Sequence, residues 1–134
     1  MSTNIFVNLP VADLDASKAF FEALGFTINQ QFTDETASCV VIDSTIYAML
    51  LTHAKFREFT PRPVSDAHTS SEVLIALSQD SRDAVNALVE KALAAGGSEV
   101  RPAQDLGFMM SRAFADLDGH IWEILWMDPA AIQS

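Results

Sequence analysis

Short apolar runs with period-two alternation, and two longer runs with helical period, divide the chain into two similar halves. In the first half, a strand over 5–11 precedes a helix that Asp13 or Asp15 caps and Gly25 ends. Three short strands follow, over 26–32, 37–42 and 46–52. Because connections this short join antiparallel neighbours, the first half has the order βαβββ.

The same order returns in the second half. A strand over 72–78 leads into a helix that Asp80 or Ser81 caps and Gly96-Gly97 ends, with apolar residues every three or four positions. Further strands are expected near 98–101, 108–115 and 121–127. The second copy begins about half the chain after the first, which indicates an internal duplication.

The duplication predicts an α+β fold. Either module alone would leave a sheet face uncovered, so the two βαβββ modules should form a cupped mixed β-sheet with the helices outside. We expect a single domain over 1–134, with modules at about 1–53 and 72–134. The polar stretch 54–71 between them is a linker or a lid, in which Phe56 and Phe59 either form a helical turn or anchor the connection.

One carboxylate interrupts the apolar residues of the last strand. Asp118-Gly119 predicts a two-residue hairpin turn, and in the strand that follows, alternate residues from Trp122 to Trp126 face the helices. Glu123 then points to the opposite face. A carboxylate among apolar side chains must be solvated, paired, protonated or bound to a cation. Glu123 is therefore the first candidate for a functional residue, unless that face is simply open to water.

Composition excludes several classes of partner. The net charge of −10 and the pI near 4.4 argue against nucleic acid and anionic membranes, whose binding requires Lys and Arg. No apolar run approaches the length of a transmembrane helix, and the N-terminus lacks the pattern of a signal peptide. The single Cys39 cannot form an intrachain disulfide. These features predict a soluble, cytoplasmic protein.

Three segments resemble the glyoxalase, bleomycin-resistance and extradiol-dioxygenase superfamily, also called vicinal oxygen chelate proteins, and especially its lactoylglutathione-lyase-like subgroup. They are VADLDASKAFFEALGF at 11–26, LVEKALAAGG at 88–97 and DLDGHIWEILW at 116–126. The resemblance implies paired βαβββ modules around a small-molecule pocket. It also implies a homodimer, with modules paired within one chain or exchanged between chains. If the protein is an enzyme, it implies a glyoxalase-type lyase or a related oxidoreductase.

Metal-dependent members of this superfamily take four ligands from the first and last strands of each module. Carried onto this sequence, these positions fall on Phe6, Leu50, Glu72 or Val73, and Glu123. At most Glu72 and Glu123 can donate an oxygen, whereas zinc and related ions use three or four protein ligands. We therefore expect the usual divalent metal (Zn, Ni, Mn or Fe) to be absent.

Two kinds of function remain compatible with a metal-free pocket. If Glu72 and Glu123 face each other, repulsion and desolvation would keep a proton on one of them near neutral pH, as proton-transfer catalysis requires. Arg112 would add positive charge if it shared this face, although an exposed position on an edge strand is the alternative.

The second function is binding without catalysis, as in family members that sequester aromatic antibiotics. An apolar pocket carrying a few acids suits a cationic or hydrogen-bonding aromatic ligand. The residues expected to line it, which are equally compatible with ordinary core, are Phe6, Leu50, Phe108 and Met110.

Overall fold

The computed structural model describes residues 3–131 and divides between residues 66 and 67, inside the predicted linker. Each of the two units holds a four-stranded mixed sheet and one long helix. The α+β prediction with two βαβββ modules is therefore confirmed.

The first unit follows the predicted order closely. Its elements are β1 (Ile5–Val11), α1 (Leu14–Ala23), β2 (Thr27–Asn29), β3 (Ala37–Asp43), β4 (Ile46–Thr52) and the short α2 (His53–Arg57). The sheet has the order β1-β4-β3-β2, with β1 parallel to β4 and the other pairs antiparallel. The strand predicted over 26–32 is too long, because Gln30–Phe32 forms a 3-10 turn.

Helix α1 begins and ends where its sequence signals place it. The Asp13 carboxylate accepts a hydrogen bond from the backbone N–H of Ala16 at 3.1 Å, which makes Asp13 the N-cap and leaves Asp15 in the first turn. Gly25 follows the helix with a φ of +102°, the left-handed conformation expected of a residue after a helix C-terminus. The helix buries Phe20 and Phe21, whose rings pack edge to face.

The second unit repeats this topology. Its elements are β5 (Ile75–Ser78), α3 (Arg82–Ala94), β6 (Ser98–Asp105), β7 (Met109–Ala115) and β8 (Ile121–Met127). The sheet order is β5-β8-β7-β6, with β5 parallel to β8. Ser81, one of the two predicted caps, accepts from the backbone N–H of Ala84 at 3.0 Å. The strand predicted over 72–78 begins three residues later than expected, and β6 extends four residues beyond the predicted 98–101.

Helix α3 packs on one face of the second sheet, and large side chains of both the helix and the sheet are buried between them. Val85 and Val89 of the helix are fully buried, as are Trp122 and Ile124 of β8. The alternation predicted for β8, with Trp122 and Ile124 on the helix side, is therefore confirmed. Burial of residues this large supplies roughly 1.5–3 kcal/mol each.

The polar stretch between the modules contains a helical turn, which is one of the two alternatives expected there. Phe56 lies in α2, and the backbone N–H of Phe59 donates to its carbonyl at 3.0 Å. Phe59 stays largely exposed, with the Lys55 ammonium 5.5 Å from its ring centroid. None of the helices within residues 3–131 is long and apolar enough to cross a membrane.

Candidate functional site

The turn between β7 and β8 has three residues and not two. The carbonyl of Asp116 accepts from the backbone N–H of Gly119 at 3.1 Å, and the backbone N–H of Asp116 donates to the carbonyl of His120 at 2.9 Å. Gly119 has a φ of +87°, whereas Asp118 has a negative φ. This is the type I turn with a following left-handed residue that closes three-residue hairpins, so the predicted two-residue turn is wrong by one residue.

The Asp116 carboxylate organises this turn. Its Oδ1 accepts from the backbone N–H groups of Asp118 and His120, and its Oδ2 accepts from the indole N–H of Trp122, each at 3.0 Å. Asp116 is only 6% exposed, and this burial raises the pKa of its carboxyl, against the lowering effect of His120 and of the three donors. Because all three donors to this carboxylate belong to the hairpin itself, Asp116 is a structural residue. No pattern in the sequence predicts this role.

The extra turn residue decides which side chains share a face with Glu123. A two-residue turn would set Phe114 opposite Glu123, but the three-residue turn sets Ala113 there. Since a shift of one residue moves every side chain of a strand to the other face, the whole of β7 is inverted relative to the predicted hairpin. Arg112 consequently pairs with Ile124 on the face that α3 covers.

On the opposite face, Glu123 lies in a row of four residues across the sheet. The register places Ala76 of β5, Glu123 of β8, Ala113 of β7 and Arg101 of β6 side by side. We call this surface the Glu123 face. The Arg101 guanidinium donates to Glu123 Oε2 at 2.8 Å, with the two side chains 35% and 29% exposed. Arg101 reaches across two strand spacings, about 9–10 Å, and the small side chain of Ala113 leaves it that path.

The Glu123 face continues with both polar and apolar side chains. Gln104 of β6 and Leu125 of β8 are the register partners of Ser111, which is buried on β7. Met109 and Met127 pair at the next position along the same face and are half-buried. The arrangement offers one ion pair, neutral hydrogen-bonding groups and an apolar surface within a few strand spacings.

Arg112 fixes α3 to the sheet and does not lie on the Glu123 face. Its guanidinium donates to Glu99 at 3.0 Å, to Asn86 at 3.0 Å and to Glu90 at 2.8 Å. The hydrogen bond to Glu99 is the main cause that raises the pKa of Arg112. The prediction of an exposed arginine on an edge strand is wrong, because β7 is an inner strand and the side chain is 12% exposed.

Three other predicted site residues are not among those that the strand register places on the Glu123 face. Glu72 is exposed and precedes β5 by three residues, and the residue beside Glu123 in the ladder is Ala76, so the ladder does not pair the two acids. Met110 is buried on the helix side, where its register partner is Trp126. Phe108 is exposed in the turn before β7, and its carbonyl accepts a hydrogen bond from the backbone N–H of Asp128 at 2.7 Å.

The first unit carries the other two predicted positions on opposite faces of its sheet. Leu50 is fully buried on the side that α1 covers. Phe6 is 49% exposed on the other side, and its ring stacks on Tyr47 with centroids 4.8 Å apart. Neither side chain can donate to a metal ion.

The residues present do not form the metal site that the resemblance implies. Two of the four positions are apolar, Glu72 lies outside the strand, and Glu123 is bonded to Arg101. Within residues 3–131, no three His, Cys, Asp or Glu side chains lie close enough together to hold a metal ion. The structure therefore provides one carboxylate where a stable site needs three or four donors.

Comparison with known proteins agrees with this fold. The family model described as bleomycin resistance protein-like N-terminal matches residues 3–43. No curated protein matches the sequence. A Staphylococcus aureus protein solved as hypothetical protein SA1046 is 30% identical, with a TM-score of 0.78 over 94% of this chain and 95% of that chain.

Two further solved structures share the fold at lower identity. A glyoxalase-related enzyme from Fulvimarina pelagi is 24% identical, with a TM-score of 0.78 over 94% of this chain and 88% of that one. A glyoxalase/bleomycin resistance protein/dioxygenase family enzyme from Burkholderia phytofirmans is 16% identical, with a TM-score of 0.77 over 94% and 99%. These structures agree with the duplicated βαβββ topology, the matching family model and the 30% identical relative. The chain therefore belongs to the glyoxalase/bleomycin resistance/dioxygenase superfamily.

Proposed function

We propose that this protein binds a small organic molecule on the Glu123 face without a metal ion. The observation that carries the proposal is the 2.8 Å ion pair between Arg101 and Glu123. Glu123 is the position to which the last metal ligand of the superfamily is carried over. Here the cation beside that carboxylate is a guanidinium supplied by the chain itself.

The ion pair disfavours a metal on electrostatic grounds. A divalent ion bound to Glu123 would lie about 2.1 Å from a carboxylate oxygen, close to the positive charge of Arg101. It would have to displace that charge and would find no second carboxylate in the row formed by Ala76, Ala113 and Arg101. The metal-dependent lyase and dioxygenase reactions of the superfamily are therefore the less supported alternative.

The same geometry favours binding over the two-acid proton transfer considered from the sequence. That mechanism needs Glu72 beside Glu123, and the residue paired with Glu123 on β5 is Ala76. A half-exposed ion pair flanked by Leu125 and the methionine pair instead has the composition of a ligand site, in which a few polar groups orient a molecule against an apolar surface.

A thermal-shift screen of small organic molecules in the presence of EDTA tests this proposal. We expect stabilising compounds whose effect persists in EDTA and is lost in Arg101→Met. Arg57→Met is the matched control, because Arg57 is exposed on α2 in the other unit. Compounds that stabilise the protein only after a divalent ion is added would overturn the metal-free assignment.

A second candidate function is sequestration of a flat aromatic compound on the first sheet. It is supported by the Phe6–Tyr47 stack, whose rings lie 11° from parallel and leave Phe6 half-exposed. Exposed stacked rings of this kind offer a surface to another ring. Phe6→Leu, which keeps the apolar character and removes the ring, should abolish binding of such a compound, whereas Arg101→Met should leave it unchanged.

A further inference from the structure

We propose that the ligand of the Glu123 face is an organic carboxylate and that Arg101 is the residue that binds it. This inference rests on the proposed function and names its ligand class. It also replaces the cationic ligand expected from the sequence, because that expectation counted Glu123 as an uncompensated acid and Arg101 now compensates it.

The first support is the number of hydrogen-bond donors that Arg101 keeps available. A guanidinium has five N–H donors, and within residues 3–131 the Arg101 side chain makes one hydrogen bond, from one terminal nitrogen to Glu123. Among residues 3–131, its Nε and its other terminal nitrogen have no acceptor, so these N–H groups are available to a ligand in place of water. The two oxygens of a carboxylate match this planar fork, whereas a cationic ligand brings only more donors.

The second support is the distribution of charge around the site. Among the described strand residues of the second unit, Glu123 is the one acid on this face. The nearby acids Glu99 and Asp105 pair in register with helix-side residues and are bonded to Arg112 and Arg82. No second acid thus opposes an incoming anion from the face itself, despite the net charge of −10 of the whole chain.

The third support is the local backbone of β6, which holds Arg101 in place. The register of β6 against β7 shifts on both sides of Arg101, between Glu99 and Arg101 and again between Arg101 and Gln104. Such bulges redirect side chains and are frequent next to binding sites. Glu123 then fixes the guanidinium from β8, so the donor fork is oriented before a ligand arrives.

The fourth support is the surface beside the fork. Ser111 carries a hydroxyl at a buried position of β7, and Gln104, its register partner on β6, is exposed. Leu125 and the Met109–Met127 pair lie further along the same face. These neighbours suit a ligand with one carboxylate and an apolar body.

Three probes with the same ring and different charge test the inference: benzoate, benzamide and benzamidine. Each is titrated into labelled protein in EDTA, and binding is followed by the NMR signals of the Arg101 Nε–H and of the backbone amides of β6 and β8. We expect saturable shifts with benzoate and at least tenfold weaker binding of benzamide and benzamidine. Arg101→Met should abolish benzoate binding, and Arg57→Met, outside the site, should leave it unchanged.

Two further variants separate charge from geometry. Arg101→Lys keeps the charge but not the fork, and should weaken benzoate binding about tenfold, since a bidentate contact is lost. Glu123→Gln keeps an acceptor for Arg101 and removes the negative charge. It should strengthen benzoate binding about threefold or more, given a Coulomb repulsion across about 6 Å in a water-like environment.

The outcomes distinguish this inference from the proposed function. Equal or tighter binding of benzamide or benzamidine at these signals would overturn the carboxylate assignment and leave the metal-free site intact. Weaker benzoate binding in Glu123→Gln would also overturn it. If none of the three probes shifts these signals, the inference fails, while the metal-free site is judged separately by the thermal-shift screen in EDTA.

Discussion

The buried hydrogen bond between Asp116 and Trp122 predicts a measurable coupling between two substitutions. Asp116→Asn keeps an oxygen for the backbone N–H groups of Asp118 and His120 but turns an amide NH₂ toward the indole N–H of Trp122. Two donors then meet in a buried position, where an unsatisfied donor costs about 1–3 kcal/mol. We expect Asp116→Asn to lower the free energy of unfolding by about 2 kcal/mol.

The companion variants set the scale of this effect. Asp116→Ala removes all three acceptor contacts and should cost about 3–4 kcal/mol, at the upper end for a single hydrogen-bonding residue. Trp122→Phe removes the indole donor, so Asp116→Asn in that background should cost about 1–2 kcal/mol less than in the wild type. Asp43→Asn, at an exposed turn where the side-chain oxygen still accepts from Ser44, is the control and should change stability by less than about 0.5 kcal/mol.

Urea unfolding followed by far-ultraviolet circular dichroism measures all of these variants, because the signal does not depend on Trp122. The variants must share one m-value for the comparison to hold. Additive effects of Asp116→Asn and Trp122→Phe, within about 0.5 kcal/mol, would refute the argument that the indole donor is what makes the aspartate necessary.

Other features of the second unit give further predictions. Burial raises the pKa of Asp116 above its ordinary 3.8, so the folded chain holds this proton to a higher pH than the unfolded chain does. The free energy of unfolding of the wild type should therefore exceed that of Asp116→Asn by most below pH 3.8, and the difference should fall as the pH rises through the pKa of the folded state. Urea titrations at a series of acid pH values measure this difference. Arg112→Met should cost about 2–4 kcal/mol in chemical denaturation, because it leaves Asn86, Glu90 and Glu99 without their shared donor; a cost below about 0.5 kcal/mol would contradict that role. Gly25→Ala should cost about 1 kcal/mol, and Gly119→Ala should destabilise the protein far more. Both glycines have positive φ, but a Cβ at position 119 would lie 2.7 Å from the backbone nitrogen of His68. Equal melting temperatures of the two variants would contradict this prediction.

The local elements were predictable because their signals lie within a few residues of one another. The bounds of β1 and β4 and the left-handed Gly25 were predicted from the sequence, and Asp13 was one of the two caps predicted for α1. Each depends on alternation, on a side chain that can cap a nearby amide, or on a conformation that glycine adopts easily. The duplicated βαβββ order followed from these elements.

The side-chain composition of the candidate site depended on a single turn residue. Asp118-Gly119 has the sequence of a two-residue turn, but the buried Asp116 carboxylate stabilises a three-residue turn by accepting from Asp118, His120 and Trp122. The resulting shift moves Met110 and Arg112 to the helix side. The hydrogen bond between Asp116 and Trp122 joins residues six positions apart, and turn preferences consider only the residues of the turn. This contact therefore determined which side chains of β7 lie on each face of the sheet.

Arg101 was not predicted for a related reason. It lies in β6, whose two register shifts place it opposite Ala113 and within reach of Glu123. Bulges of this kind depend on the pairing of two strands and leave little signal in either strand alone. The pairing of Arg101 with Glu123 therefore follows only from the register of the strands in the complete sheet.

The most direct test of the account is a calorimetric titration of chelator-treated protein with Zn²⁺, Ni²⁺ and Mn²⁺, made in parallel on Glu123→Gln and Arg101→Met. If Arg101 is the cation that Glu123 binds, the wild type should show no stoichiometric site for any of the three ions. A one-to-one site in the wild type that Glu123→Gln abolishes would contradict the account, because Glu123 would then be a metal ligand.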